Sequence, residues 1–285
     1  FFSNSVINYD SKNFDNSKIE VNIETTSNPT YLKTYKIESP LIKDETLLNS
    51  FVNLEMDNED TYIKTSFESY EDLSKDKNEK YEFIYPNVEY EKQIGLSSNY
   101  NGSLTFDLNG YQKEYGVDSS ESVLINNLQY ESFDYFLNSG LKNKFNLLVK
   151  NVNSNGDNST TYKEKNSNKL LGSFIFESSY PLKKNGENYD SFLKPIASFR
   201  FSPTETKNLK NSSRRIDINN IFTYDRIANN SAVEGGRSLT LGSEYKLNKK
   251  DNNEFLLLNL ATVLRDESNP DLPLNSTIGQ KTSDI

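Results

Sequence analysis

Hydrophobic residues recur at every second position along most of the chain. The segments 19–23, 52–56, 104–108 and 239–247 alternate Ile, Val, Leu, Met, Phe or Tyr with charged, amide, hydroxyl or glycine residues. A period of two places successive side chains on opposite faces of a β-strand, whereas a helix would need a period of about 3.6. The pattern therefore predicts strands that each have one apolar face and one polar face.

Turn residues separate these segments. Asn and Gly tolerate a positive φ, so Asn-Gly pairs suit tight turns. Such pairs occur at 101–102, 109–110, 155–156 and 185–186, and longer polar breaks lie at 72–80, 151–168 and 204–214. The spacing predicts an all-β, antiparallel sheet of about 11 to 13 strands. No stretch has the pattern of an amphipathic helix of about ten or more residues.

Segment length distinguishes a membrane barrel from a soluble sandwich. Many alternating segments reach about nine to eleven residues, the length that crosses a bilayer with tilt, whereas sandwich strands are usually about five or six residues long. Tyrosines lie near the segment ends, as in the girdles of membrane barrels. These are Tyr62 and Tyr70, Tyr81 and Tyr90, Tyr111 and Tyr115, and Tyr180 and Tyr189. We favour a transmembrane β-barrel. A large soluble β protein remains the alternative, because Tyr favours strands in any sheet.

The average composition, unlike the alternation pattern, suggests a disordered chain. The 285 residues carry a net charge of −9 and a mean hydropathy of −0.75, which is typical of disorder. However, the chain also has 17 Phe and 18 Tyr, and disordered chains are poor in aromatics. A barrel needs apolar residues only at alternate positions of each strand, so a polar interior and polar loops account for the low average.

Composition also excludes several kinds of chemistry. The chain has no His and no Cys, which removes imidazole bases, thiolate nucleophiles and zinc–thiolate sites. The negative net charge argues against binding to nucleic acid. The segment 153–157 loosely resembles a calcium-binding loop but lacks the distal Glu ligand. The acidic turn 57–60 is better interpreted as a solvent-exposed turn than as a cation site. We therefore expect that the protein is not an enzyme and that it has no catalytic residues, no metal site and no cofactor.

One region departs from the alternation. Residues 214–226 mix charged and apolar residues without a clean period, and the segment 233–237 follows before the regular strand 238–247. Charged side chains in a barrel segment should face the interior or pair there. Two interpretations stay open here: an ion-pair cluster that ties a loop to the wall, or a direct role in ligand binding.

Four segments of this region, 217–222, 224–227, 234–237 and 240–245, resemble a segment of the outer-membrane lipopolysaccharide-assembly (LptD, organic solvent tolerance) family. In that family the pattern is roughly N-L-F, D-R, E-G-G-R and Y-G-x-x-Y within the barrel. Four other segments, at 30–35, 84–90, 194–203 and 278–280, are more weakly similar to family segments and occur in the same order along the chain as in the family. The sequence departs from the family at Thr34, where an acidic residue is usual, and in having no Trp.

The resemblance marks nine residues as structural or luminal, without assigning a role to each. They are Asp217, Asn220, Phe222, Asp225, Arg226, Glu234, Gly235, Gly236 and Arg237. The family implies a translocon that assembles lipopolysaccharide into the outer leaflet of the Gram-negative outer membrane. It implies as partners lipopolysaccharide, a plug lipoprotein, outer-membrane lipids and, through an N-terminal domain, the periplasmic bridge proteins.

The resemblance also implies a domain organisation. Both ends look cut, so we expect residues 1–285 to form a single partial barrel domain, the middle of a larger barrel with open edges. The periplasmic jellyroll domain and the terminal gate strands would lie outside it. Two alternatives remain: a passive porin or receptor-type barrel, and a secreted β-sandwich adhesin.

Overall fold

The fold is almost entirely β-structure. The computed structural model describes residues 1–37, 39–76, 79–97, 99–116, 118–251 and 253–283. The strands are β1 (Phe2–Asn8), β2 (Asn16–Glu24), β3 (Leu47–Asp57), β4 (Thr61–Asp72), β5 (Tyr81–Ile94), β6 (Gly102–Tyr115), β7 (Ser119–Ser132), β8 (Tyr135–Phe136), β9 (Lys142–Asp157), β10 (Ser167–Ser179), β11 (Leu182–Asn185), β12 (Tyr189–Ser202), β13 (Gly236–Lys249) and β14 (Glu254–Arg265). One short helix, α1 (Tyr31–Tyr35), lies between β2 and β3.

The strands form one 14-stranded sheet. Its order follows the chain from β1 to β14, while β8 and β11 pair with β9 and β12 beside that path. Neighbouring strands run antiparallel from β1 to β5 and from β10 to β14, and β8 runs antiparallel to β9. In the part of the chain that the structure describes, β1 and β14 are the edges and do not pair with each other, so the sheet is open. The predicted antiparallel, partial and open all-β sheet is confirmed.

The chain divides into two compact units. The first consists of Phe1–Ile94, Thr105–Asn127 and Asn151–Lys169. In its sheet, Val52 lies opposite Val21 on one side and Phe67 on the other. Val52 and Phe67 are 46% and 56% exposed, whereas the neighbouring Ser66 is fully buried. This is the reverse of a soluble fold, in which the apolar face of a sheet is the buried one.

The short helix closes a small apolar core in the first unit. Leu32 of α1 packs with Leu48 and Leu73, and Phe2 and Ile42 pack against them. This core holds the β2–β3 connection against the ends of the strands beside it.

The second unit shows the same inversion of faces. It consists of Gly95–Leu104, Leu128–Lys150 and Leu170–Ile285. Phe176, Phe199, Leu239 and Leu264 form one cross-strand row, and the last three are 36% to 40% exposed. We call this side the apolar face and the opposite side the polar face. The apolar face meets the surroundings, as expected of a sheet in contact with lipid.

The polar face of the second unit is covered. Arg200, Ser238 and Arg265 lie in one cross-strand row of β12, β13 and β14, and each is at most 7% exposed. Thr240, two residues further along β13, is also buried. The segment that covers them is the connection between β12 and β13.

Three turn predictions are wrong, because the Asn-Gly pairs at 109–110 and 155–156 lie inside strands and the break at 151–168 is shorter than expected. The Asn-Gly pair at 109–110 lies inside β6 rather than in a turn. Gly110 is used there for space, because a Cβ at this position would lie 2.9 Å from Cδ1 of Leu124. The predicted break at 151–168 is shorter at both ends, since β9 continues to Asp157 and β10 begins at Ser167. Asparagine side chains in this stretch also bond to one another across the two strands.

Candidate functional site

The connection between β12 and β13, residues 203–235, folds over the polar face of the second unit. It has no regular strand or helix, yet it has its own apolar core. That core joins the connection to Ala261 and Val263 of β14 and to the segment after β14. Its buried members are Leu209, Ile216, Ile221, Ile227, Ala232, Ala261, Val263, Leu272 and Ile278. The connection is thus a packed layer on the wall, although charged residues interrupt its hydrophobic pattern.

A buried ion pair lies at the centre of this layer. The guanidinium of Arg226 donates from Nε to Oε2 of Glu234 and from Nη2 to Oε1, both at 2.6 Å. The two side chains are 0% and 1% exposed. A bidentate pair of this kind is the strongest arrangement that a guanidinium and a carboxylate can form.

Two wall arginines complete the cluster. Arg265 of β14 donates to Oε1 of Glu234 through Nη2 and to the carbonyl of Ile278 through Nε at 2.6 Å. Arg200 of β12 lies with Nε 3.8 Å from Oε2 of Glu234. Glu234 therefore receives three guanidinium groups, one from its own connection and two from strands. We call Arg200, Arg226, Glu234 and Arg265 the arginine–glutamate cluster.

The remaining donors of the cluster bind backbone and hydroxyl groups. Arg226 donates to Oγ1 of Thr240 and Oγ of Ser238, each at 3.1 Å. Arg200 donates to the carbonyls of Tyr224 at 2.6 Å and Thr223 at 2.7 Å. Small hydroxyl residues on β13 thus leave room for the guanidinium and also accept its hydrogen bonds.

Charge in this layer perturbs two carboxyl groups in opposite directions. Burial alone would raise the pKa of Glu234, but the positive charges, that of Arg226 first, hold this pKa well below its usual range. At Asp225, burial prevails and raises the pKa despite the nearby charges, among them Lys150. Lys150 of β9 also binds the connection directly, donating to the carbonyl of Asn229 at 3.0 Å.

The two glycines of the family segment serve different needs. A Cβ on Gly235 would lie 2.2 Å from the carbonyl oxygen of Thr204, so only glycine lets the two ends of the connection approach. The Gly235 amide donates to Oγ1 of Thr206 at 2.8 Å. Gly236 has open space around the position of a Cβ, but its φ of +84° favours glycine.

Other predicted residues shape the connection without entering the cluster. The carboxyl of Asp217 accepts from the Asn219 amide at 2.9 Å. The Asn220 side chain accepts from the Asp217 amide and donates to the carbonyl of Arg215, both at 3.1 Å. These bonds fix a turn before the buried Ile221.

Phe222 is partly buried, whereas Arg237 is exposed. Phe222 packs against the core over Gly242 of β13, where a Cβ would lie 2.7 Å from its ring. The Arg237 side chain is 65% exposed and pairs with Asp266 at 2.7 Å. Of the nine predicted residues, only Arg226 and Glu234 meet in the arginine–glutamate cluster.

Sequence reasoning missed Arg200, Arg265 and Lys150. Each sits at a polar-face position of a regular strand, where the alternation pattern expects any polar residue. One signal was available: Arg200 lies between Ser198 and Ser202, and a guanidinium flanked by small residues on a barrel's polar face suggests a partner from elsewhere. Nothing comparable marks Arg265.

The arrangement is suited to holding a segment in place rather than to reacting with a substrate. The donors of the cluster are used on the protein itself, and its carboxylate is saturated by guanidinium groups. Across the described ranges, no group of three or more acidic side chains is placed to hold a metal ion. Likewise, no helix within those ranges combines the length and the apolarity needed to cross a bilayer.

An open antiparallel sheet with an exposed apolar face and a covered polar face defines the class of membrane β-proteins and is consistent with part of a barrel. The family model described as LPS transport system D, LptD, matches residues 6–285. The chain belongs to the LptD family, which is a transport and assembly family of the outer membrane and not an enzyme family. No curated protein matches the chain.

Proposed function

We propose that this chain is part of a translocon that assembles lipopolysaccharide into the outer leaflet of the Gram-negative outer membrane. The family match over residues 6–285 carries the proposal. The inverted faces of the sheet support it, because a conduit for an amphipathic molecule needs a polar surface for sugars and an apolar surface for lipid. We also propose that residues 1–285 belong to a single partial barrel domain.

In this proposal the two faces meet different molecules. The polar face would meet the sugar portion of lipopolysaccharide and the plug lipoprotein, and the apolar face would meet outer-membrane lipids. The periplasmic bridge proteins would act through an N-terminal domain. The arginine–glutamate cluster would act as a structural anchor that keeps the β12–β13 connection on the wall, rather than as a ligand site.

Site-specific photo-crosslinking tests the proposal. A crosslinking amino acid replaces Asn53, on the polar face beside the buried Ser66, in the full-length protein in cells. We expect lipopolysaccharide adducts that disappear when lipopolysaccharide synthesis is inhibited, because they report molecules in transit. Absence of these adducts from Asn53 and from other polar-face positions would contradict the proposal.

The matched control is the neighbouring Val52, whose side chain lies on the apolar face and is 46% exposed. Its adducts should include resident membrane lipid and should persist after synthesis stops. The porin alternative makes a different prediction. Purified full-length protein should then conduct ions steadily in planar bilayers, and its depletion should leave lipopolysaccharide at the cell surface.

A further inference from the structure

A groove opens on the first unit where β5, β6, β7, β9 and β10 contribute residues. Its volume is about 620 Å³. One part of its lining is apolar and includes Pro86, Val88, Leu108 and Leu124. The other part is formed by asparagines of β9, β10 and the turn between them, namely Asn153, Asn155, Asn166 and Asn168. The groove thus has both apolar and amide side chains in its lining, mainly from different strands.

Glycine creates the space. Gly110 lines the groove in the middle of β6, and a Cβ there would lie 2.9 Å from Cδ1 of Leu124. Leu124 is 40% exposed, as expected on an apolar face. Gly110 therefore lets the leucine lie across the neighbouring strand and leaves a channel that a larger residue would fill.

The asparagines form an amide network at the other end. Asn168 donates to Asn153, Asn153 donates to Asn151, and Asn155 donates to Asn166, each at 2.5 Å. A side-chain amide has two N–H donors and an oxygen with two lone pairs. Asn155 and Asn166 share one such bond, and Asn151, Asn153 and Asn168 form a ring in which each donates once and accepts once, so every amide keeps part of its capacity. The fixed network can accept from and donate to a neighbouring molecule at the same time.

The lining has no charged residue among the described side chains. A phosphate or carboxylate headgroup would find no Lys or Arg in the groove to offset its desolvation. Hydroxyl groups need no countercharge and match amides as both donors and acceptors. The chemistry of the amide end therefore selects an uncharged, hydroxyl-rich headgroup.

We propose that this groove binds an amphipathic glycolipid. Its hydrocarbon chain would lie along Val88, Leu108 and Leu124, and its sugar would bind the amides of Asn155 and Asn166. This inference rests on the proposed function only in placing the apolar face against lipid. It concerns a lipid held on the outside of the wall and not the transported molecule.

Native mass spectrometry of the full-length protein in a polyoxyethylene detergent tests the proposal. The probes are dodecyl maltoside and dodecylphosphocholine, which share a chain and differ in headgroup. We expect the maltoside to be retained selectively. The variants Asn155→Ala/Asn166→Ala and Gly110→Val should each weaken retention by about tenfold, the former because two hydrogen-bonding amides are removed.

The matched control is Gly172→Val in β10, where an added Cβ would meet the Leu148 carbonyl at an ordinary 3.5 Å. Its retention should equal that of the unaltered protein. Equal retention of the two probes, or retention unaffected by the asparagine variant, would overturn the proposal. Neither outcome would affect the crosslinks at Asn53, so the glycolipid site and the translocon can fail separately.

Discussion

Glu234 is the residue on which the buried layer depends most. Its carboxylate is the partner of three guanidinium groups, and it is 1% exposed. Without it, Arg200, Arg226 and Arg265 would be left as like charges in a low-dielectric site. Removing one member of a buried ion pair is costly because the remaining charge stays unpaired.

We therefore expect Glu234→Gln to destabilise the protein by about 3–5 kcal/mol. Urea unfolding of the purified protein in detergent, followed by gel mobility with and without heating, measures the change. The control is Asp266→Asn, which breaks the exposed pair with Arg237 and should cost about 1 kcal/mol or less. Equal effects of the two substitutions would show that the buried cluster contributes no more than a surface pair.

The depressed pKa of Glu234 gives a pH dependence with a definite sign. In the unfolded chain the carboxyl titrates near its ordinary pKa of 4.5, and in the folded protein it titrates well below this value. Its stabilising contribution is therefore complete above the unfolded pKa and is lost as pH falls towards the folded one. The stability difference between the unaltered protein and Glu234→Gln should be largest near pH 7 and should shrink below about pH 4.5. A difference that grows on acidification would contradict the assignment.

The two glycines allow a separate test of backbone constraint. Gly235→Ala should disrupt the connection severely, because the Thr204 carbonyl lies 2.2 Å from the new Cβ. Gly236→Ala should cost about 1–2 kcal/mol, because a residue with a Cβ would have to adopt the left-handed backbone conformation of Gly236. Gly95→Ala, with open space around it, is the control. Folding yield and the urea midpoint measure the destabilisation, which should be largest for Gly235→Ala, smaller for Gly236→Ala and smallest for Gly95→Ala.

At the scale of elements, the strands could be predicted from the sequence and the β12–β13 connection could not. Period two defines a strand wherever the two faces have different neighbours, and this held for segments such as 239–247. The connection has no period because its apolar residues, Ile221 and Ile227 among them, pack into an irregular core. Its anchor residues Arg200 and Arg265 are far apart in sequence and come together only through the strand register.

The packing of the apolar core should also hold the connection in place. Ile221 is 1% exposed, so Ile221→Ala should cost about 2–5 kcal/mol and loosen the connection. Trypsin should then cleave after Arg214 or Arg215 faster than in the unaltered protein. Leu274→Ala is the control because Leu274 is 73% exposed, and its cleavage rate should not change. Equal protection of both variants would mean that the ion pairs alone hold the connection.

At the scale of the whole molecule, the inverted faces decide how the sheet tolerates charge. Leu241 on the apolar face of β13 is 38% exposed, and Leu241→Arg would place a guanidinium in hydrocarbon at a cost of about 2–4 kcal/mol near the bilayer midplane. Asn259 of β14 lies opposite Glu244 in the register, and Asn259→Arg would add the same group beside a carboxylate. In a membrane-spanning sheet, the first substitution should reduce assembly into the outer membrane, measured as heat-modifiable protein, while the second should be tolerated. In a soluble sandwich, both exposed positions would accept arginine, so equal yields of the two variants would contradict the membrane assignment.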